Sequence, residues 1–290
     1  GMRFGGAKVH PRDFDDDGIE EYPNDNREFT SAYFIFDITN PEEQPVLLGE
    51  FTRTIGNSGV DQDGDGTNDD STEIELGYTT AIPTIVPMND GTDTTWYLIL
   101  GSGPTSHNPS VDAIEGTSDQ SARLAVIPLH DRMNPDSLKS LRIPAAQPVE
   151  NISDPNTDFG TIYVKNDDID ETPYEDSFVA DLITVDLETQ PEYKADVVYF
   201  GTLSGGWSPT GWGGRMYRLV TRKPGVIPSG TSQVVSRPYE WPTLLDSYSL
   251  KNPNILYDPG QPIVGPATVG TDALDFWVYF GTGRFFDVDD

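Results

Sequence analysis

The residues best suited to chemistry form the run Asp61-Gln62-Asp63-Gly64-Asp65-Gly66-Thr67-Asn68-Asp69-Asp70. Asp61, Asp63, Asp65 and Asp69 take positions 1, 3, 5 and 9 of this run, with glycine at position 6. Alternate side chains of such a run converge on a hard cation, Thr67 at position 7 offers its carbonyl, and the glycine permits the sharp turn. The twelfth position, where an EF-hand loop has a bidentate glutamate, is Thr72, and Glu73 follows one residue late. Asp70, Glu73, water or a distant carboxylate would complete the shell. The alternative is a solvated acidic loop, but acids this closely spaced repel one another without a cation, so the spacing favours bound Ca2+.

Asp13, Asp15, Asp17, Gly18 and Glu21 repeat the pattern near the start of the chain. They read either as a second cation loop or as an acidic hairpin. Asn166, Asp168 and Asp170 alternate without the glycine and read as surface acidity, while Asp287 and Asp289 form the beginning of a further loop. Extracellular calcium modules have dissociation constants of roughly 0.1 to 1 mM. At about 1 mM calcium one such site stabilises by roughly 0.4 to 1.4 kcal/mol. That orders a loop more readily than it folds a domain, so the ion is expected to be structural or regulatory.

Other chemistry is thinly represented. The three histidines, His10, His107 and His130, share no ligand spacing, and the chain has no cysteine. Gly201-Thr202-Leu203-Ser204-Gly205 is not a nucleophile elbow. Gly101-Ser102-Gly103 lacks the third glycine and following helix of a dinucleotide site. No pair of carboxylates stands out as a glycosidase couple. A non-enzymatic protein is expected. With 18 basic against 48 acidic residues, the net charge of −30 argues against nucleic acid and anionic membrane surfaces as partners. No apolar run approaches the roughly 18 residues needed to cross a bilayer.

The elements that must position these loops show up as a repeat. Residues 277–283 read WVYFGTG, and shorter copies stand at 200–202 (FGT), 100–103 (LGSG) and 4–6 (FGG). Each copy is a run of aromatic and β-branched residues stopping on glycine, which reads as a half-buried strand followed by a turn with positive φ. Strands are expected at 31–38 (SAYFIFDI), 45–51, 81–88, 94–103, 122–130, 137–145, 178–187, 195–202, 213–220, 262–270 and 275–283. The only short helix candidate is near 136–141.

Repeats of this kind predict an all-β chain built as a β-propeller of modified, quinoprotein-like blades, about four of them, with a β-sandwich as the alternative. The blade segments fall at about 1–55, 78–147, 176–245 and 260–290 of a single propeller region, with long insertions that carry function. Either the remaining blades lie outside this stretch, in a longer chain, or the stretch forms a partial, open array. Trp96 and Trp277 lie in signature strands and read as core. Trp207 and Trp212, in the loop GGWSPTGWGG at 205–214, are candidates for partner contact, and Arg215 and Arg218 nearby read as counter-charges to the acidic surface.

Four segments in order resemble the PilY/PilC-type type IV pilus tip-associated proteins: SAYFIFDITNPEEQPVLLGEF, AIPTIVPMND with WYLILGSG, ADVVYFGTLSG with GGRMYRL, and QPIVGPATVG with WVYFGTGRFFDVDD. The resemblance implies a modified propeller that binds calcium at the pilus tip or outer membrane of a Gram-negative bacterium. It implies an extracellular, cell-surface role in adhesion, pilus assembly and extension, and twitching motility. The partners it implies are pilins or minor pilins and a host or abiotic surface. One departure concerns residues 185–191, where the family often has a calcium loop and this chain has neither the glycine nor the alternating carboxylates. Integrin-like propellers share the FG/GTG copies. A quinoprotein-like dehydrogenase is the enzymatic alternative, and it requires a central cofactor pocket that nothing in the sequence identifies.

Overall fold

The computed structural model describes residues 6–8, 28–30, 32–51, 54–55, 74–89, 94–108, 113–114, 116–129, 152, 160–164, 174–187, 195–205, 211–221, 238, 241, 255–272 and 275–284. Every named element is a strand: β1 (Gly6–Lys8), β2 (Glu28–Thr30), β3 (Tyr33–Asp37), β4 (Val46–Phe51), β5 (Thr54–Ile55), β6 (Ile74–Glu75), β7 (Thr84–Asn89), β8 (Thr94–Gly101), β9 (His107–Asn108), β10 (Ala113–Ile114), β11 (Arg123–Leu129), β12 (Gly160–Tyr163), β13 (Ser177–Val185), β14 (Val197–Ser204), β15 (Met216–Val220), β16 (Ile255–Tyr257), β17 (Thr268–Thr271) and β18 (Phe276–Tyr279). The chain is therefore all-β, as its glycine, proline and β-branched content predicts.

Two antiparallel sheets have four strands each, in the orders β7-β8-β11-β12 and β13-β14-β15-β16. Each is a meander, the first carrying the small β9–β10 hairpin between its second and third strands. The signature runs become β8, β14 and β18, the second strand of their sheets, so in the two large sheets they are paired on both edges. The place beside β11 that sequence would give to 137–145 is filled by β12. The 137–145 segment and the short helix candidate lie outside the described residues.

Alternation along the strands gives each large sheet two apolar faces, and the sheets stack through them. One face of the β7-β8-β11-β12 sheet, with Leu98, Leu100, Ala125 and Ile127, packs on Tyr33 and Phe51 of the β3–β4 pair. Its other face, with Tyr97, Ile99, Leu124 and Val126, meets Val179, Leu182, Val198, Phe200 and Tyr217 of the next sheet. The far face of that sheet, with Val197, Tyr199 and Met216, packs on Ile263, Ala267, Val269, Val278 and Phe280 around the β17–β18 pair. Four sheets thus lie in series, each buried against its neighbours in sequence order.

The first strands of consecutive sheets are tied by polar contacts. Thr84 and Thr184 share a hydroxyl hydrogen bond of 2.7 Å across β7 and β13. Ile82 N–H donates to Asp181 Oδ1 at 2.8 Å, and Leu182 N–H to Ile82 O at 3.3 Å. Asp181 sits where the β13–β14 register shifts between Val179 and Leu182, a bulge that re-aims its side chain into the gap between the sheets. Its carboxylate is almost wholly buried, 1% exposed, and so depends on such donors. Tyr33 O–H reaches Ala81 O at 2.8 Å and ties the β3–β4 pair to the same edge. Burial, with Asp181 adding to it, holds that phenol far above the usual tyrosine range.

The expected positive φ appears at Gly283, which closes the 277–283 copy, and at Gly77, Gly205 and Gly260, but not at Gly101 and Gly201, which serve another purpose. A Cβ on Gly101 would lie 2.7 Å from Val179 Cβ, and one on Gly201 would lie 2.5 Å from Ile263 Cγ2. Each glycine admits a β-branched side chain of the following sheet. The next residue completes a lock: Ser102 and Thr202 each donate a backbone N–H to the carbonyl of an arginine of the third-strand segment, Arg123 and Arg215, at 2.9 Å. Their hydroxyls accept the same arginine amides at 3.0 and 3.1 Å. Their carbonyls accept Val179 N–H at 2.7 Å and Ile263 N–H at 3.2 Å from the next sheet.

Trp277 is 52% exposed, so the expectation that it is core is wrong. It alternates with Val278, which faces the stack, and so points away from it. Trp96 is half-buried. Among the described residues the fully buried tryptophan is Trp241, with its ring 5.8 Å from Tyr97 and nearly perpendicular to it.

Forcing a methyl group into these contacts overpacks them, at a cost of about 1–3 kcal/mol. Gly101→Ala and Gly201→Ala should each lower the thermal midpoint by several degrees, whereas Gly265→Ala, with open space at its Cβ, should leave it near that of the parent.

Candidate functional site

The two acidic loops share a structural setting. Strands β5 and β6 pair antiparallel, Thr54 with Glu75 and Ile55 with Ile74, and so bring together the two ends of the stretch that holds Asp61, Asp63, Asp65, Thr67 and Asp69. Strands β1 and β2 pair Gly6 with Thr30 and Lys8 with Glu28, closing the stretch that holds Asp13, Asp15, Asp17 and Glu21. The candidate ligands themselves, like His10, His130, Asn166, Asp168, Asp170, Asp287 and Asp289, lie outside the described residues. Among the described residues no group of three or more His, Cys, Asp or Glu side chains is placed to hold a metal.

Of residues 185–191, where the family resemblance would put a calcium loop, 188–191 lie outside the described residues, and the described ends are held by Asp196. Asp196 Oδ2 accepts Leu187 N–H at 2.7 Å, and Asp196 N–H donates to Val185 O at 3.0 Å. The Asp196 side chain is thus committed to closing the β13–β14 connection.

Trp212 lies in a richer environment than its loop composition suggests. The Arg284 guanidinium sits 3.7 Å from the centroid of its ring, a cation–π contact between the β14–β15 connection and the end of the β18 segment. Next to it, Gly213 bridges Ser204 through two backbone hydrogen bonds of 3.0 Å. Ser204 Oγ shares a 2.8 Å hydrogen bond with the Tyr174 hydroxyl. Arg215 lies with its guanidinium 5.1 Å from the Tyr174 ring centroid and donates through Nε to Asp258 Oδ2 at 2.8 Å. Trp207 lies outside the described residues.

The electrostatics of this cluster follow from that ion pair. Burial works against charge on Arg215, but the hydrogen bonds to Asp258 and Tyr217 outweigh it and hold the guanidinium protonated. For Asp258, burial alone would raise the carboxyl, and the Arg215 hydrogen bond, helped by Gly260 N–H, carries it below the usual carboxylate range. Burial raises the Tyr217 phenol despite Arg215 beside it. The Tyr217 ring stacks on Phe200, 5.4 Å between centroids and 8° from parallel. Arg215 is therefore a specific structural partner as well as a counter-charge.

These groups pair with one another: the Trp212–Arg284 contact fastens the third sheet to the fourth, while Arg215 and Asp258 tie the start of β15 to the end of β16 within the third. Sequence reasoning singled out Trp212 and Arg215 but not Tyr174, Asp258 or Arg284, whose separations along the chain hide the contact. Compared with models of known families, with curated proteins and with solved structures, the chain finds no match.

An exposed cation–π pair contributes about 0.5–1 kcal/mol. A double-mutant cycle on Arg284→Ala and Trp212→Ala, read by urea melts, should return a coupling energy in that range. The carboxyl of Asp258 is lowered on folding, so its contribution is present above the unfolded carboxylate range and lost as pH falls through the folded value. The pair is part-exposed and its worth is therefore small, about 0–1 kcal/mol. Asp258→Asn should cost no more than that at about pH 7, and the difference from the parent should shrink as melts are taken below about pH 4.

Proposed function

We propose that this chain is a calcium-stabilised β-propeller region of a type IV pilus-associated cell-surface protein, acting without catalysis in adhesion, pilus assembly or extension, and twitching motility. The observation that carries the reading is the serial stack of antiparallel sheets, the second locked to the third at Gly101-Ser102 and the third to the fourth at Gly201-Thr202, with the first strands β7 and β13 tied together along one edge. Blades arranged around an axis require that edge, since inner strands approach one another more closely than outer ones. Support for calcium comes from the carboxylate spacing of Asp61 to Asp69 and from the β5–β6 stem that brings the ends of that stretch together. The pilus assignment rests on the four segments that resemble the PilY/PilC-type proteins. Pilins or minor pilins and a host or abiotic surface are the corresponding partners, outside the cell.

A calcium titration tests the metal directly. With the 290-residue chain, millimolar calcium should raise the thermal midpoint by a few degrees over chelator, magnesium should do less, and Asp63→Ala should remove most of the calcium response. No change in melting or in protease sensitivity near Asp61 on chelation would overturn the calcium assignment. The pilus assignment is tested by immobilising purified minor pilins: calcium-dependent retention of the chain supports it, and equal retention on an unrelated protein refutes it.

A further inference from the structure

The stretch that holds Asp61, Asp63, Asp65, Thr67 and Asp69 is the connection from the first sheet to the second, and each of its ends is anchored in the core that those sheets share. Phe51, the last residue of β4, lies three residues before β5 and is 4% exposed. Leu76, the first residue after β6, is 1% exposed. Both join one apolar cluster with Tyr33 of β3 and with Leu98 and Leu100 of β8. The β5–β6 stem therefore holds together two core side chains that enter the seam from opposite ends of the connection. Beyond the stem the chain is clipped to the end of β8. Gly103 N–H donates to Leu76 O at 2.7 Å, and Tyr78 N–H to Pro104 O at 2.8 Å. Gly77, between them, has a left-handed φ of +65°, and a Cβ there would lie 2.6 Å from Pro104 O and 2.7 Å from Gly103 O. Gly103 follows Ser102, whose carbonyl receives Val179 N–H from the third sheet. A continuous run of contacts thus leads from the stem to the lock between the second and third sheets.

We propose that cation occupancy of this connection regulates the seam between the first two sheets. The inference rests on the calcium reading given above and adds what the ion acts on. Calcium gathered by the carboxylates between β5 and β6 favours the paired stem, which seats Phe51 and Leu76 and steadies the clip from Leu76 to Gly103. A ligand that binds only the paired state multiplies the ratio of paired to open by one plus its concentration over its dissociation constant. For dissociation constants of about 0.1–1 mM and about 1 mM calcium, that factor is about 2 to 11. Coupling is reciprocal, so a change that loosens the clip weakens calcium binding although it touches no ligand. The seam between the third and fourth sheets lies outside this run of contacts. Its connection is a short turn, 258–262, in which Asp258 Oδ1 accepts Gly260 N–H at 3.0 Å. The amides there, Ile263 N–H on Thr202 O and Gly283 N–H on Pro262 O, provide an internal reference.

Amide hydrogen exchange of the 290-residue chain, in calcium chloride at about 1 mM against chelator, tests the coupling. The amides of Gly103 and Tyr78 should exchange about 2- to 11-fold more slowly with calcium, while those of Ile263 and Gly283 stay unchanged. In equilibrium dialysis with calcium, Gly77→Ala should show a dissociation constant raised by up to that same factor, and Gly265→Ala, with open space at its Cβ, should bind as the parent does. Leu76→Val makes the same measurement with a milder change if Gly77→Ala does not fold. Equal slowing at all four amides overturns the coupling and leaves the calcium reading in place. So does calcium binding that leaves Gly103 and Tyr78 unprotected, or an unchanged calcium affinity in both variants. A parent chain that binds no calcium in dialysis overturns the calcium reading and the coupling together.

Discussion

The interaction on which the rest depends is the close approach of one sheet to the next at Gly101 and Gly201. Sheets packed through ordinary side chains sit about 10 Å apart, and these glycines remove one layer of atoms at a single point. Val179 and Ile263 enter there, and their amides reach the carbonyls of Ser102 and Thr202. A hydrophobic stack alone would slide, because apolar contact is non-directional. The backbone hydrogen bond beside each glycine sets the register of the slide, and the buried Asp181 and the Thr84–Thr184 pair fix it again at the first-strand edge. Apolar burial supplies the cohesion of the stack, and a few polar contacts select its geometry.

Much of this was legible in the sequence. The runs that became β3, β4, β7, β8, β11, β13, β14, β15, β17 and β18 are dense in aromatic and β-branched residues, and proline and glycine bracket them. The all-β class and the near-regular spacing of the signature strands followed. The role of the signature glycines did not, because a glycine needed for backbone conformation and one needed for lack of a Cβ look alike until the neighbour is known. Strand β12 was missed for a related reason. Gly160-Thr161-Ile162-Tyr163 is too short and too weakly apolar to stand out, and its place in the sheet is set by pairing with β11.

Trp277 and Trp241 show the limit more sharply. Sequence pattern placed Trp277 in a strand correctly, but alternation does not say whether a sheet lies against its second face. Trp241 sits where no strand pattern exists, and its burial against Tyr97 is a long-range event. At the candidate site, the acidic runs were visible because their carboxylates are local in sequence. The Trp212–Arg284 and Arg215–Asp258 contacts were hidden because each joins residues far apart along the chain, the first from separate sheets and the second from neighbouring strands. Local chemistry can be read from a chain, while chemistry assembled by stacking has to be observed.

The long connections of the two large sheets, 130–159 and 221–254, leave from the same topological place, between the third and fourth strands. The ties that set sheet against sheet are concentrated on the first and second strands. Doubling a flexible connection costs only about 0.6 kcal/mol of closure entropy. The chain is thereby divided into an edge that aligns the stack and one that carries the long connections, each of which returns one buried side chain, Ile152 or Trp241, to the core between the two large sheets. Such an architecture leaves variation in length to the connections, over a frame whose own geometry tolerates little change at Gly101 and Gly201.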